Sequence, residues 1–376
     1  MKLALVISSL AAGGAQRVLT TLAARFAEGG HEVTMLTLAA AADADFYSVP
    51  HCVKRASVGE LDPSANVVAG IVANLRRVWR LHRALRREGI EAVISFGDQS
   101  NVIAVLAARL ARLPVIVSER IDPQRHDIGG RLWERLRAAT YPLASTVVFQ
   151  TAEVSRRFVA ANPRVRAAVI PNPIPQSLVD AHAAPVRSRR GPPRRIVGMG
   201  RLVPQKGFDL LLQAFASVAR HHDEVELWIW GEGPDRDALV SEIARLGLDG
   251  RVRLPGNSDS PWDVMAAADC FVLSSRYEGF PNVMLEAMAV GTPVIAFDCP
   301  SGPREISDDG AHALLVPNGD VPALAEAMMR ILSDAPLRER LAQTGTSVRK
   351  RFCLARIVAQ WEALLAQAQA QRRNAR

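Results

Sequence analysis

The chain has 376 residues and a net charge of +8, with 49% hydrophobic and 22% charged residues. This composition is typical of globular proteins, and the length predicts two domains rather than a single hydrophobic core. Aromatic residues make up only 5% of the sequence, which disfavours a stacking surface for single-stranded nucleic acid. The positive charge, much of it on clustered arginines, instead favours phosphate-bearing or membrane-bound partners.

The cysteines and the N-terminus both predict a cytoplasmic protein. Cys52, Cys270, Cys299 and Cys353 form no CxxC pair and lack histidines at zinc-site spacing, so neither a disulfide framework nor a zinc site is expected. The apolar N-terminus is interpreted as a first buried strand rather than a secretory signal, because it leads straight into a glycine turn and an amphipathic helix. No apolar run reaches the roughly 18 residues that a membrane span requires.

The first half of the chain alternates between short apolar runs and longer helical patterns. The predicted strands are 3–8, 31–38, 92–96, 115–118 and 146–150, and the predicted helices are 15–28, 69–88, 101–110 and 131–141. This alternation predicts a parallel sheet with crossover helices.

A proline- and arginine-rich segment, 170–195, breaks this rhythm and is predicted to link two domains. The alternation then restarts with predicted strands 196–199, 226–230, 252–254, 270–273, 294–297 and 313–316, and predicted helices 207–220, 234–246, 261–267 and 321–332. We predict an N-terminal domain (1–180), a linker (181–195), a C-terminal domain (196–350) and a C-terminal helix (351–376) that packs back on the N-terminal domain. Two such Rossmann-like domains are expected to bind ligands in a cleft between the carboxyl ends of their sheets.

Two glutamates frame a predicted helix start in the second half. Glu278 lies on a loop, Gly279 and Pro281 break the chain, and a helix that begins near Asn282 contains Glu286. The free amides and positive dipole end of a helix N-terminus suit a phosphate, and carboxylates suit hydroxyl groups. The segment therefore predicts a sugar-nucleotide site, although two ordinary surface acids would show the same pattern.

Two cations strengthen this interpretation. Arg201 and Lys206 lie on a predicted loop between a strand and a helix, and Gly207 ends that loop. Cations at this position suit a diphosphate. Gly13 and Gly14 follow the first strand in a similar way, but without the G-x-G-x-x-G spacing of a dinucleotide site.

The motif G-R-L-x-x-Q-K-G at 200–207, together with E-G-F-P-N-V-M-L-E-A-M-A-x-G-T-P-V-I at 278–295, resembles the retaining glycosyltransferases of family 4, which have the GT-B fold. The resemblance covers essentially the whole chain. The segments 95–96, 118–120, 122–123 and 299–306 are most similar to a subgroup that adds hexoses or N-acetylhexosamines to lipid-linked or surface glycans.

The resemblance implies a role for each matching residue. Arg201 and Lys206 would hold the donor diphosphate and offset the charge of the leaving nucleotide, Glu278 would face the donor sugar, and Glu286 would bind the ribose. The donor would be a nucleotide-sugar, most simply a UDP-sugar. Further implied donor contacts come from backbone positions, namely Gly13, Gly14, Pro255, Gly256, Asn257, Gly279, Phe280, Pro281 and Asn282.

The sequence offers neither a catalytic histidine nor a metal site. The family often has a histidine ahead of Glu119-Arg120, but here that region reads V-S-E-R, and His126 is interpreted as a solvated loop residue. The D-x-D strings at 43–45 and 235–237 are interpreted as a loop and a helix start. We therefore expect no metal and no cofactor, with cationic side chains and a helix dipole stabilising the leaving group.

The predicted helix 69–88 carries arginines along one face. Such a basic amphipathic helix predicts contact with anionic lipid headgroups or a pyrophosphate-linked acceptor, or else a core-packed helix with a solvated face. The arginine face comprises Arg76, Arg80, Arg83 and Arg87, and the opposite apolar face comprises Ile71, Leu75, Val78, Leu81 and Leu85. Glu119 and Arg120 are further candidates for acceptor contacts.

The sequence as a whole predicts a metal-independent retaining glycosyltransferase at the inner face of the cell membrane, acting on a glycan acceptor and not on nucleic acid. A front-side displacement and a covalent route both remain open. The alternatives are a GT-B sugar-nucleotide epimerase or phosphorylase, a basic nucleic-acid-binding protein, and a catalytically inactive glycan-binding relative.

Overall fold

The computed structural model describes residues 1–11, 13–39, 46–59, 67–123, 130–182 and 194–374, without the side chains of 67–69 and 71. His126, the D-x-D string at 43–45 and most of the predicted linker lie outside the described residues. Contacts divide the chain into a first domain, Met1–Pro173 with Ala355–Arg376, and a second domain, Ile174–Leu354.

The first domain is built on a parallel sheet of seven described strands in the order β3-β2-β1-β4-β5-β6-β7. Its strands are β1 (Lys2–Ile7), β2 (Glu32–Thr37), β3 (Lys54–Ser57), β4 (Ala92–Phe96), β5 (Val115–Ser118), β6 (Thr146–Phe149) and β7 (Ala167–Val169). Its helices are α1 (Gly14–Glu28), α2 (Val67–Arg87), α3 (Asp98–Ala111), α4 (Arg131–Thr140) and α5 (Ala152–Ala161), with a 3₁₀ turn at Tyr141–Leu143. Strands β4, β5 and β6 are buried along their whole length, because a parallel sheet has helices on both faces.

The second domain repeats this plan with a parallel sheet of six strands in the order β10-β9-β8-β11-β12-β13. The strands are β8 (Arg194–Met199), β9 (Val225–Trp230), β10 (Val252–Gly256), β11 (Cys270–Leu273), β12 (Val294–Asp298) and β13 (Leu314–Pro317). The helices are α6 (Gln176–Ala181), α7 (Phe208–Ala219), α8 (Arg236–Arg245), α9 (Pro261–Ala266), α10 (Asn282–Ala289), α11 (Pro303–Ser307), α12 (Val321–Ser333), α13 (Ala335–Gly345) and α14 (Val348–Arg351), with a 3₁₀ turn at Pro204–Lys206. The predicted architecture of two parallel α/β domains is therefore confirmed.

The C-terminal helix α15 (Leu354–Asn374) returns to the first domain. Trp361 is 1% exposed, and its ring centroid lies 5.7 Å from that of Phe96 at the end of β4. Further along, Gln369 Nε2 donates a hydrogen bond to Met1 Sδ at 3.3 Å. These contacts join the end of the chain to the first sheet.

The predicted apolar face of helix α2 is only partly buried. Val78, Leu81 and Leu85 are buried, whereas Leu75 is 63% exposed. At 100° per residue Leu75 lies about 90° from the centre of the buried face, which is too far to reach the core. The side chain of Ile71 lies outside the described residues. Residues exposed along the outer face are Val72, Leu75, Arg76, Trp79, Arg80, Arg83 and Arg87.

Candidate active site

The carboxyl ends of β8 and β11 bring Lys206 and Glu278 together. Lys206 Nζ donates to Glu278 Oε1 at 2.6 Å, and Ser275 Oγ donates to the same oxygen at 2.6 Å. The two charged side chains are only 16% and 7% exposed, so solvent screens their attraction weakly. The pair forms an ion pair with an additional hydrogen bond at the edge of the second sheet.

Gly207 determines how closely the Lys206 loop approaches β11. Its φ is +61°, and a Cβ atom there would lie 2.1 Å from the Ser274 carbonyl oxygen. Ser274 Oγ in turn donates to the Lys206 carbonyl oxygen at 2.9 Å. Glycine is required because any side chain would clash with the Ser274 carbonyl group. Residues other than glycine also disfavour this left-handed backbone conformation.

Arg276 fastens the loop before Glu278. Its backbone N–H donates to the Gln205 carbonyl oxygen at 2.8 Å, and its guanidinium spans both carboxylate oxygens of Asp209 at 2.9 and 2.6 Å. Burial opposes ionisation of Asp209, but the hydrogen bonds and charge of Arg276 outweigh it and lower the pKa of that carboxyl. This bidentate pair anchors the loop to the start of α7.

Helix α10 holds the second glutamate of the motif. Glu286 is 2% exposed and accepts a hydrogen bond from Trp262 Nε1 at 3.1 Å. Glu278, taken as a whole residue, is 5% exposed. Because both carboxylates are buried, neither is an ordinary surface acid.

The loop ahead of α10 is braced by the loop that follows β12. Ser301 Oγ donates to the Gly279 carbonyl oxygen at 2.7 Å. Gly302 has a φ of +101°, and a Cβ atom there would lie 2.4 Å from Pro281 Cδ. Phe280 packs edge-on against Phe352, with ring centroids 5.6 Å apart. The backbone predicted to cradle the donor is thus held rigidly up to Asn282, the first residue of α10.

Arg201, Gly256 and Asn257 are predicted donor residues that take no part in the hydrogen bonds of the Lys206–Glu278 pair. The side chain of Arg201 is exposed and makes no hydrogen bond or ion pair with any described residue. Gly256 ends β10 with a φ of +88°, and Asn257 after it is exposed.

The glycine turn of the first domain and the second D-x-D string have simple local placements. Gly13 has an extended backbone, with φ 177°, and precedes α1, which Gly14 begins. Asp235 and Asp237 lie at the start of α8.

Within the described ranges, no group of three or more His, Cys, Asp or Glu side chains is arranged so that it could hold a metal ion. None of the described helices is long and apolar enough to cross a bilayer.

Glu119 follows β5 in the first domain and is 2% exposed. It accepts a hydrogen bond from the Tyr141 hydroxyl and shares another with the Asp98 carboxyl. Burial, and then the nearby charge of Asp98, raise the pKa of Glu119 to about 8. Glu119 therefore holds a proton at neutral pH and can act as a hydrogen-bond donor.

Arg120 reaches from β5 across the ends of the next two strands. Its guanidinium lies 4.3 Å from the centroid of the Phe96 ring and donates to Ser118 Oγ at 3.3 Å and to Asn172 Oδ1. With the Gln150 amide oriented to satisfy its neighbours, that side chain accepts from Arg120 Nη2 at 3.3 Å and donates to the Arg120 carbonyl oxygen at 2.8 Å. Burial lowers the pKa of Arg120 to about 9.

Several residues of both sites were missed from the sequence. Trp262, Asp98 and Tyr141 carry no motif of their own, and only their tertiary neighbours reveal them. Asp98 opens α3 directly after Gly97, a strand–glycine–helix turn like those at Gly13 and Gly207. That pattern was the available sequence signal for Asp98.

Two family models match consecutive parts of the chain. "Glycosyl transferase 4-like domain" matches residues 13–173, and "Glycosyl transferases group 1" matches residues 184–348. The lipopolysaccharide core biosynthesis glycosyltransferase LpsE of Rhizobium meliloti is 41% identical over 150 residues, which are 40% of this chain and 43% of LpsE. A GalNAc-alpha-(1->4)-GalNAc-alpha-(1->3)-diNAcBac-PP-undecaprenol alpha-1,4-N-acetyl-D-galactosaminyltransferase of Campylobacter jejuni is 26% identical over 98% of this chain and 99% of its own.

A solved structure extends the likeness to the fold. Anabaena HepE in complex with UDP and glucose superposes with a TM-score of 0.78 at 22% identity, over 97% of this chain and 99% of its own. The chain spans less than half the length of the first curated relatives that it matches, between 20% and 48%. The predicted GT-B fold is confirmed, and the chain contains a glycosyl transferase 4-like domain followed by a glycosyl transferases group 1 domain.

Proposed function

We propose that this protein transfers a hexose or N-acetylhexosamine from a UDP-sugar to a hydroxyl group of a lipid-linked or cell-surface glycan, with retention of the anomeric configuration. The observation that carries the proposal is the Lys206–Glu278 pair beside the N-terminus of α10, with Glu286 buried in the same helix. The similar proteins support it: one is named for lipopolysaccharide core biosynthesis, one for a PP-undecaprenol acceptor, and one was solved with UDP and glucose.

Lys206 and Arg201 would stabilise the leaving group in this reaction. Negative charge develops on the UDP diphosphate as its bond to the sugar breaks, and preorganised cations lower the free energy of that transition state. Lys206 is already positioned by Glu278, and Arg201 is exposed and available. We propose that these cations and the dipole of α10 act without a metal ion.

The remaining residues of the second domain would orient the donor. Glu278 would hydrogen-bond the sugar hydroxyls, and Glu286, held by Trp262, would bind the ribose. The backbone from Gly279 to Asn282 would contact the sugar and phosphate. Gly256 and Asn257 would lie beside the base, and Gly13 and Gly14 would allow close approach of the first domain's backbone to the diphosphate.

A front-side displacement accounts for retention in this proposal. The acceptor hydroxyl oxygen forms a bond to the anomeric carbon while the bond from that carbon to the β-phosphate oxygen breaks. The acceptor proton passes to the leaving phosphate oxygen on the same face of the sugar. The products are the extended glycan and UDP.

We further propose that α2 places the protein on an anionic membrane, at the cytoplasmic face. Leu75 and Trp79 are 63% and 56% exposed and lie beside the arginine face, where the Arg83 guanidinium is 4.6 Å from the Trp79 ring centroid. Exposed apolar side chains next to arginines suit the boundary between headgroups and acyl chains. An acceptor carried by a membrane lipid would be delivered to this surface.

The test is to measure stabilisation by UDP and UDP-sugars, followed by UDP release with a polyprenyl-diphosphate-linked acceptor. Lys206→Ala and Arg201→Ala are each expected to reduce turnover about 10²- to 10³-fold. Lys350→Ala, which removes an exposed lysine of the same domain, is the matched control. Unchanged UDP release in the Lys206 and Arg201 variants would contradict the proposal.

The membrane part is tested by sedimentation with vesicles that contain or lack phosphatidylglycerol. Leu75→Ser/Trp79→Ser is expected to reduce sedimentation with anionic vesicles. Leu110→Ser/Leu143→Ser changes two other exposed leucines of the first domain, 62% and 44% exposed, and should leave sedimentation unchanged. Equal binding of both variants would disprove a membrane role for α2.

A further inference from the structure

Arg120 is a partly buried cation whose charge no described carboxylate balances. Its partners are the Ser118 hydroxyl, the Asn172 amide and the Gln150 amide, all of them uncharged. Its Nε–H is fully buried and has no acceptor among the described residues. Among the described residues, burial alone accounts for the lowered pKa of this guanidinium. At neutral pH it stays charged in a partly buried setting, which costs free energy until an anion is bound.

Three other arginines that are buried or partly buried are compensated. Arg157 pairs with Asp122 at 2.8 Å, and Arg194 pairs with Asp269 at 2.7 Å. Arg338 instead caps α12, donating to the Ile331 and Leu332 carbonyl oxygens at 2.6 and 2.9 Å, where the helix dipole supplies partial negative charge. Among the described residues, Arg120 has neither a carboxylate partner nor a helix C-terminus.

The position of Arg120 is that of a ligand contact. Ser118 ends β5, Gln150 follows β6, and Asn172 follows β7, so the carboxyl ends of three adjacent strands meet at one guanidinium. Ligands of open α/β sheets bind outside this edge. The Phe96 ring lies against the guanidinium and limits its motion.

We propose that Arg120, oriented by Asn172 and Gln150, binds an oxyanion carried by the acceptor, either a phosphate or the carboxylate of an acidic sugar. The inference rests on the proposed function, since it assigns the acceptor to the first domain. Arg120 is partly exposed, and a guanidinium is suited to a planar, hydrogen-bonded contact with such a group. The uncharged partners Asn172 and Gln150 position the guanidinium without neutralising its charge.

The experiment titrates inorganic pyrophosphate or glucuronate into the full chain at constant ionic strength, with UDP at saturation to occupy the donor site, and follows the thermal unfolding midpoint. The wild-type midpoint is expected to rise relative to a sodium chloride control. Arg120→Gln is expected to raise the apparent dissociation constant about 10- to 100-fold. Arg156→Gln, at an exposed arginine of α5, is the matched control and should bind as the wild type does.

The result decides both the site and the anion. A midpoint rise with pyrophosphate alone assigns a phosphate-bearing acceptor, and a rise with glucuronate alone assigns an acidic sugar. If the unfolding midpoint of the wild type rises with neither anion, the inference is overturned, whether or not Arg120→Gln folds. An unchanged dissociation constant in Arg120→Gln also overturns it. UDP stabilisation is scanned separately without oxyanion, so loss of the donor site and loss of the Arg120 site are distinguishable.

Discussion

The charged side chains at the carboxyl ends of the two sheets have different kinds of partner. In the second domain, Lys206 Nζ donates to Glu278 Oε1 at 2.6 Å, and Glu286 accepts a hydrogen bond from Trp262 Nε1 at 3.1 Å. In the first domain, Glu119 avoids charge by keeping its proton, and Arg120 has only neutral partners among the described residues. The Lys206–Glu278 pair is compensated before any ligand arrives, whereas Arg120 leaves a positive charge to be met by a ligand.

The compensated edge depends on glycine, so Gly207→Ala is expected to have the largest effect. The added Cβ would lie 2.1 Å from the Ser274 carbonyl oxygen at a φ of +61°. We expect a loss of about 3–5 kcal/mol in the free energy of unfolding, from backbone displacement and left-handed strain. Urea unfolding measures it.

Gly247→Ala is the matched control for this change. Gly247 has a similar φ of +67°, but no heavy atom within 4 Å of the added Cβ. Only the conformational strain should remain, at about 1 kcal/mol. If the two variants lose equal stability, the close approach of Gly207 to Ser274 does not determine the loop.

Charge pairing at the second edge can be tested with Lys206→Met and Glu278→Gln. Each single variant leaves a mostly buried partner uncompensated and should lose about 3 kcal/mol of stability, while the double variant should recover most of it. Chemical denaturation of all four proteins gives the coupling energy. If the two losses in the free energy of unfolding simply add, the pair is not coupled. Sugar transfer should stay low in the double variant even where its stability is recovered.

The protonated carboxyl of the first edge predicts a pH dependence. The folded chain keeps the Glu119 proton that the unfolded chain releases above its ordinary pKa of 4.5. The resulting stabilisation is complete below pH 4.5 and is lost as the pH rises through about 8. Glu119→Gln cannot ionise, so its stability should fall less than that of the wild type between pH 6 and pH 8, by about 2 kcal/mol.

Unfolding titrations at pH 6, 7 and 8 measure this difference. Glu134→Gln changes an exposed carboxyl on α4 and should keep the pH dependence of the wild type. If Glu119→Gln also keeps it, Glu119 is ionised in the folded protein.

Much of the fold was predictable because buried parallel strands appear in the sequence as continuous apolar runs. Strands β4, β5 and β11 match their predictions residue for residue. Strands β3 and β7, with the sequences KRAS and AAV, were missed because they lie at or near the sheet edges, are only partly buried and lack such a run. Helices α5 and α13 were also missed from the sequence.

By itself, the sequence determined the two parallel α/β domains and the segments around Lys206, Glu278 and Glu286, because periodicity and glycine-marked turns are local properties. Only the tertiary structure decided which charges are compensated. The pairing of Lys206 with Glu278 spans 72 residues, and the meeting of Arg120 with Asn172 spans 52. Burial and the charge of distant neighbours set the ionisation of such groups, and both depend on how remote strands come together.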